Sequence, residues 1–255
     1  MYNSMLKRRC AHEDSLTPVC DPVFIHETLH ALGLGYHQGG YKCTASDIKS
    51  KKPWRECPYV EYGGVLDALG SASVSAKAAF GAAAKNRWQL AWLQHPRDVQ
   101  LVQANATVQI MPLGAGLPKG ENKVRAVVVR FDKVWGGRVQ GTGDIWLEFR
   151  APYGYDNMSG VVPNTRNGQG LVAYQWGTAL IDLDPDAGDP RDHLNVALRA
   201  GSSWWVDRKS GLRLRTIQVP TVTRALTLTL KTNTNTNTNP HPSTNPLPTV
   251  NRPLR

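Results

Sequence analysis

The sequence predicts an α+β protein in which a short helical region with a histidine motif precedes a β-rich, sandwich-like region and a tail. Helical signals and all four cysteines fall within residues 1–95. Residues 96–220 consist of short β-type runs separated by Gly, Asn and Pro, a pattern typical of a sandwich or a barrel-like pair of sheets. Residues 221–255 contain a Thr-Asn repeat followed by a Pro-rich sequence. Because this tail has few apolar side chains to bury in a core, it is predicted to be disordered.

Two helices are predicted in the first region. One covers residues 22–32, because Asp21 is a suitable N-cap, Pro22 fits the first helical position and Gly33 is placed to end the helix. The other covers residues 76–93, where four apolar side chains recur at near-helical spacing: Phe80, Ala84, Trp88 and Trp92. The two tryptophans are expected in the core.

Eight short strands are predicted in the β-rich region from runs of β-branched, aromatic and alternating residues. They are Val99–Val102, Ala106–Met111, Val124–Phe131, Ile145–Arg150, Leu171–Trp176, Leu194–Ala200, Ser203–Val206 and Leu212–Val219. Residues 227–230 could form a final strand before the Thr-Asn repeat.

The chemical signal is the stretch FIHETLHALGLGYHQGG, residues 24–40. On a helix, His26 and His30 lie four residues apart and therefore project from one face, so both imidazoles can bind one zinc ion. Glu27 lies beside the first of them and can act as general base on the attacking water. A zinc ion would lower the pKa of that water and polarise a substrate carbonyl.

A catalytic zinc needs a third protein ligand and leaves a fourth position for water. Gly33 permits a left-handed turn that would direct the chain back beneath the metal. His37 is then the candidate third ligand.

The motif resembles that of the metzincin peptidases, His-Glu-x-x-His-x-x-Gly-x-x-His, which is followed by a Met-containing turn. Within that clan the chain resembles the gametolysin family, the algal cell-wall-lysing metallopeptidases. That family tends to show a Tyr-Gly-Asp segment, a Met-Gly turn and then a helix ending in Trp-x-Leu-x-Trp. The corresponding segments of this chain are EYGGVLDALG at 61–70 and NRWQLAWL at 86–93. The resemblance covers about residues 20–220, and its specific part is 24–93.

The resemblance implies a partial metzincin-like zinc endopeptidase domain with Zn²⁺ as cofactor and Glu27 as catalytic base. The family places its third histidine three residues after the glycine, at position 36, where this chain has Tyr36. Gly35 can absorb the one extra loop residue that brings His37 to the metal instead. Tyr36 stays open as the alternative ligand, although a neutral phenol is a poor ligand. Leu69 stands in place of the turn methionine, and the similar volumes of Leu and Met preserve an apolar floor. In the clan a twisted sheet precedes the active-site helix, whereas only about 21 residues precede it here, so the domain is expected to be N-terminally incomplete.

The resemblance also implies secretion and a matrix or cell-wall glycoprotein as substrate. Four clustered cysteines without Cys-x-x-Cys spacing favour disulfides, as expected outside the cell: Cys10, Cys20, Cys43 and Cys57. A Cys43–Cys57 bridge is expected because these residues flank the loop between the ligand segment and the turn. Asn105 and Asn157 begin N-glycosylation tripeptides, although the N-terminus has no apolar signal region.

Charge and hydropathy do not favour two other classes of protein, nucleic-acid-binding proteins and membrane-spanning proteins. The net charge is +10 and the pI about 9.6, but the basic residues are scattered, so nucleic acid is not an expected partner. No run of 18 apolar residues occurs, so no membrane span is expected. The alternative function is a catalytically inactive fragment that binds matrix through its basic, tryptophan-bearing β-rich region.

Overall fold

The computed structural model describes residues 22–50, 54–70, 81–103, 105–115, 123–135, 138–151, 170–183, 197–198, 201, 203–207, 212–218 and 226–231. Its helices are α1 (Pro22–Ala31), α2 (Ala45–Lys49) and α3 (Ala84–Gln89), with a short 3₁₀ turn at Trp54–Glu56. The first predicted helix is therefore confirmed. Asp21, its predicted cap, lies outside the described residues.

The second helix is much shorter than predicted. Within its predicted range, residues 81–83 are not helical and α3 ends at Gln89, while residues 76–80 lie outside the described part. A Schellman motif ends the helix: Trp92 N–H donates to Arg87 O, and Ala91 N–H donates to Trp88 O. Ala91 takes the left-handed conformation, with φ +59°. Trp92 is consequently exposed, and its predicted place in the core is wrong.

The strands form two sheets. The first has seven strands in the order β2-β1-β9-β8-β7-β6-β3, and the second has five in the order β10-β11-β12-β4-β5. Their bounds are β1 Gly39–Tyr41, β2 Tyr59–Val60, β3 Val99–Val102, β4 Ala106–Ile110, β5 Lys123–Val124, β6 Ala126–Trp135, β7 Arg138–Arg150, β8 Gly170–Gln175, β9 Ala179–Ile181, β10 Ser203–Asp207, β11 Leu212–Gln218 and β12 Leu226–Lys231.

Seven of the eight predicted strands coincide with observed strands, and the final strand is present as β12. That strand lies inside the segment predicted to be disordered, and it pairs with β4, for example Leu228 with Val108. Of the predicted strand at 194–200, only residues 197 and 198 are described, and Leu198 forms a bridge with Leu171. Strands β1, β2 and β9 were not predicted, and the single predicted strand at 124–131 covers the end of β5 as well as part of β6, which lie in different sheets.

Apolar side chains of the seven-stranded sheet face two different cores because successive residues on a strand point to opposite faces. On β6, Val127 and Val129 contact the five-stranded sheet through a cluster that includes Ile110 and Leu214. The two sheets therefore contribute side chains to one shared apolar cluster. On the other face of β6, Val128 packs in a second cluster that also holds residues of α3 and of the segment before it.

One sheet contains strands from both of the regions defined by composition. Strand β1, which follows the histidine motif, pairs in parallel with β9, with Gly39 opposite Ala179 and Gly40 opposite Leu180. The predicted boundary near residue 95 therefore does not separate two sheets. This pairing places the histidine segment at one side of the seven-stranded sheet, next to the short edge strand β2.

Candidate metal centre

Helix α1 positions the first two histidines of the site. His26 and His30 are one turn apart, and their Nε2 atoms are 3.0 Å apart. A Schellman motif ends the helix: Leu34 N–H donates to Leu29 O, and Gly33 N–H donates to His30 O, with Gly33 at φ +102°. Leu29 and Leu34 pack in the same apolar cluster, as is common for this motif. The predicted turn at Gly33 is therefore present.

His37 completes a cluster of three imidazoles. One nitrogen from each of His26, His30 and His37 lies within 4.8 Å of the others. His37 comes just before β1, and its ring centroid is 5.5 Å from that of His26 and 5.1 Å from that of His30. The structure thus brings together the three histidines that the sequence singled out as candidate ligands.

A hydrogen-bond acceptor lies at Nδ1 of every imidazole in the cluster. Nδ1 of His26 is 2.9 Å from Ala68 O, that of His30 is 2.6 Å from Leu34 O, and that of His37 is 2.8 Å from the Glu61 carboxylate. With Nδ1 carrying the proton, the lone pair of each ring is on Nε2. Metal-binding histidines are oriented in this way by carbonyl and carboxylate groups.

The spacing of the nitrogens suits a small cation. Two nitrogens bound to one zinc at about 2.0–2.1 Å, at a tetrahedral angle, would lie roughly 3.4 Å apart. The 3.0 Å between Nε2 of His26 and Nε2 of His30 is close to this value. Two imidazole lone pairs at that distance repel one another unless a proton or a cation lies between them.

Tyr36, the other candidate third ligand, packs its side chain against α3. Its hydroxyl contacts Asn86 Oδ1 and Gln89 Oε1, and the ammonium of Lys85 lies 4.9 Å from the centroid of its ring. Burial, followed by the nearby charge of Asp67, raises the pKa of Tyr36, so the phenol is neutral. Of the two candidates, His37 is the one whose ring lies beside the α1 histidines.

Glu27, the candidate base, is exposed on α1 next to His26. Its role as general base on the attacking water stays a prediction from its place in the motif.

The turn at residues 67–70 contacts α1 through an apolar side chain and a main-chain carbonyl. Leu69 is fully buried and packs with Leu29 and Leu34, so it provides the apolar floor expected from its place in the turn. Ala68 O accepts the hydrogen bond from His26 Nδ1. Gly70 is required here because a Cβ at this position would overlap the main-chain carbonyl of Gly64.

A buried carboxylate connects this turn to α3. Asp67 accepts hydrogen bonds from Leu69 N–H at 2.6 Å, from Asn86 Nδ2 at 3.0 Å and from the main chain of Ala83. Burial raises the pKa of Asp67, while the two main-chain donors oppose that shift. The Asp67 carboxylate therefore couples the support of His26 to the start of α3.

Tyr62 and Glu61 contact His37 although neither was assigned a role from the sequence. The Tyr62 hydroxyl is 2.8 Å from His37 Nε2, and its ring is stacked on that of His37 with centroids 4.0 Å apart. Tyr62 has a φ of +60° and is 41% exposed. The β1–β2 hairpin brings these residues opposite His37, so only a prediction of that hairpin could have identified them.

The predicted Cys43–Cys57 disulfide is confirmed. It continues the β1–β2 hairpin, in which Lys42 N–H donates to Pro58 O. This disulfide is compatible with an extracellular protein. Cys10, Cys20 and the acceptor Asn157 lie outside the described residues, whereas Asn105 is exposed.

No family model, no curated protein and no solved structure matches this chain. None of the helices within the described ranges is both long and apolar enough to cross a membrane. The chemistry of the site is therefore inferred from the residues that form it.

Proposed function

We propose that the chain is a zinc-dependent endopeptidase in which His26, His30 and His37 hold the ion. The observation that carries this proposal is the convergence of three imidazoles, each with an acceptor at Nδ1. Imidazole nitrogen is a preferred ligand of zinc, although it also suits copper and nickel. Three protein ligands with a fourth position for water are typical of catalytic rather than structural zinc.

His26, His30 and His37 would hold the ion, whose Lewis acidity would lower the pKa of a bound water and polarise the scissile carbonyl. Glu27 accepts the proton of the attacking water on its carboxylate and passes it to the nitrogen of the leaving amine. Glu61 fixes the ring of His37 through Nδ1, and Ala68 O does the same for His26. Leu69 is fully buried and packs against Leu29 of α1, the residue before His30.

The proposed substrate class is matrix or cell-wall glycoprotein, and the proposed location is outside the cell. The location is supported by the Cys43–Cys57 disulfide and by the exposed glycosylation acceptor Asn105. The substrate class depends on the resemblance of residues 24–93 to the gametolysin family.

The test is zinc content together with proteolysis of a casein-type substrate by the purified full chain. The wild type is expected to contain one zinc per chain by elemental mass spectrometry. Glu27→Ala should keep the zinc and lose at least about 100-fold in activity, because general-base catalysis contributes roughly 10²–10⁴-fold. His26→Ala should lose the zinc. A wild type without stoichiometric zinc, or unchanged proteolysis by Glu27→Ala, would contradict the proposal.

A second candidate is a non-catalytic module that binds acidic matrix through the β-rich region. Exposed Trp176 and two exposed cations on β11, Arg213 and Arg215, favour it, because aromatic and basic groups suit an acidic polysaccharide. The Glu27→Ala variant separates the two functions. Matrix binding by both proteins, without proteolysis by the wild type, would support the module.

A further inference from the structure

The loop that joins α1 to β1, residues 34–38, must hold His37 in place. Its two ends are tied by main-chain hydrogen bonds: Leu34 N–H to Leu29 O, and Gln38 N–H to Leu69 O. Among the residues that the structure describes, none makes a main-chain hydrogen bond to residues 35–37. Gly35 adds freedom, because the space where a Cβ would lie is open. The conformation of this loop therefore depends on side-chain contacts.

Tyr36 makes such contacts with one face of α3. Asn86 and Gln89 contact its hydroxyl, and the ammonium of Lys85 lies over its ring. The stem of Lys85 is itself confined, because it packs where a Cβ on Gly177 would lie. A half-buried tyrosine held from two directions has little rotational freedom.

The contact of Tyr36 is also connected to the support of His26. Asn86 Nδ2 donates to Asp67 Oδ2 at 3.0 Å, and Asp67 organises the turn in which Ala68 O accepts from His26 Nδ1. The position of His26 on α1 and the position of the loop before His37 therefore both depend on contacts with α3 and Asp67.

We propose that Tyr36 is a positioning residue whose contacts with α3 hold the loop so that His37, one residue later, reaches the other two histidines. This role rests on the proposed zinc site. In the resemblance the third ligand falls at position 36, whereas here that side chain is directed to α3 and its neighbour takes the place among the imidazoles.

The first test compares two variants that each remove one tyrosine hydroxyl bonded to a glutamine oxygen. Tyr36→Phe loses the contact with Gln89, and Tyr41→Phe loses a contact with Gln175 away from the histidines. Removing a group that orients a metal ligand typically costs 10–100-fold in metal affinity. The zinc Kd of Tyr36→Phe is therefore expected to rise roughly 10-fold, with that of Tyr41→Phe unchanged.

The visible spectrum of the Co²⁺-substituted protein distinguishes positioning from a loss of stability, because it reports the geometry and number of ligands. We expect this spectrum to change in Tyr36→Phe and to stay as in the wild type in Tyr41→Phe, with similar Tm values for both variants. Equal Kd and spectra for wild type and Tyr36→Phe would overturn the role of Tyr36 while leaving the zinc site intact.

A second test examines which way position 36 faces. His37→Ala is expected to lose zinc, and adding Tyr36→His to it should not restore binding, because position 36 is directed towards α3. Restored stoichiometric zinc in the double variant would show that position 36 reaches the ion, which would overturn the proposal. A wild type that binds no zinc would overturn the proposed function and this role together, an outcome distinct from the two above.

Discussion

Tyr62 and a metal ion would use the same nitrogen of His37. The Tyr62 hydroxyl is 2.8 Å from His37 Nε2, the atom that carries the lone pair. Tyr62→Phe removes this hydrogen bond and keeps the stacked ring. Because a typical hydrogen bond contributes about 1 kcal/mol net, we expect the zinc Kd to fall roughly fivefold. Competition with a chromophoric chelator measures the change.

The control for this prediction is Tyr59→Phe, since Tyr59 is an exposed tyrosine on the same hairpin without a contact to His37 among the described residues. Its zinc Kd should equal that of the wild type. A higher Kd in Tyr62→Phe would contradict competition and would indicate instead that the phenol takes part in binding the ion.

For individual residues, the sequence could predict the members of the site that lie on one helix. His26, Glu27 and His30 follow from the spacing of one motif on one helix. The choice between Tyr36 and His37 as third ligand could not be made from the sequence. The loop after Gly33 lacks the regular residue spacing of a helix or a strand, from which the direction of a side chain can be predicted. That choice depends on Asn86 and Gln89, which lie about fifty residues along the chain.

Helix α3 ends at a residue that is unfavourable for its conformation. Ala91 has φ +59°, where a side chain costs roughly 1–2 kcal/mol relative to glycine. Ala91→Gly relieves this cost, and the greater freedom of the unfolded glycine chain offsets part of the gain. We expect the free energy of unfolding to rise by about 0.5–1 kcal/mol, measured by urea denaturation.

Ala91 is exposed, so its missing methyl group leaves no cavity. Ala84→Gly, at the buried first residue of the same helix, is the contrasting control and should lower the stability by about 0.8 kcal/mol, because it removes a buried methyl group. A loss of stability in Ala91→Gly as well would contradict a left-handed conformation of residue 91.

The same helix shows why its length could not be predicted. Apolar spacing from Phe80 to Trp92 suggested a long helix, and no glycine marks its end. The start is set by distant buried carboxylates: Asp67 accepts from Ala83 N–H, and Glu148 accepts from Ala84 N–H at 2.6 Å. Local spacing carries no information about such partners.

Strands show the same division between local and distant causes. Long runs such as β6 and β8 are rich in β-branched and apolar residues and were predicted from that composition. Strands β1, β2 and β9 have two or three residues each, too few for an alternating pattern. They form because their partners fix them, and β1 and β2 adjoin His37 and Glu61 of the site.

Across the whole molecule, the histidine segment depends on the β-rich region for its position. Gly39 N–H, two residues after His37, donates to Thr178 O at 2.9 Å, and Gln38 Nε2 donates to Gly177 O at 3.2 Å. On the other side of the segment, Glu148 of β7 accepts from the start of α3, which holds Tyr36. The site therefore needs strands that come more than 100 residues later in the sequence.

This dependence predicts that a chain ending at residue 95 lacks the site even though it contains all three histidines and Glu27. Without β7, β8 and β9, strand β1 loses its parallel partner and α3 loses its buried acceptor, so the His37 loop has no fixed place. We expect the fragment to bind zinc at least 100-fold more weakly than the full chain, since two positioning contacts worth about 10-fold each are lost. A chain ending at residue 231, which retains every described strand, should bind as the full chain does. Equal zinc affinity in the 1–95 fragment would contradict the coupling and would support the composition boundary as a division between domains.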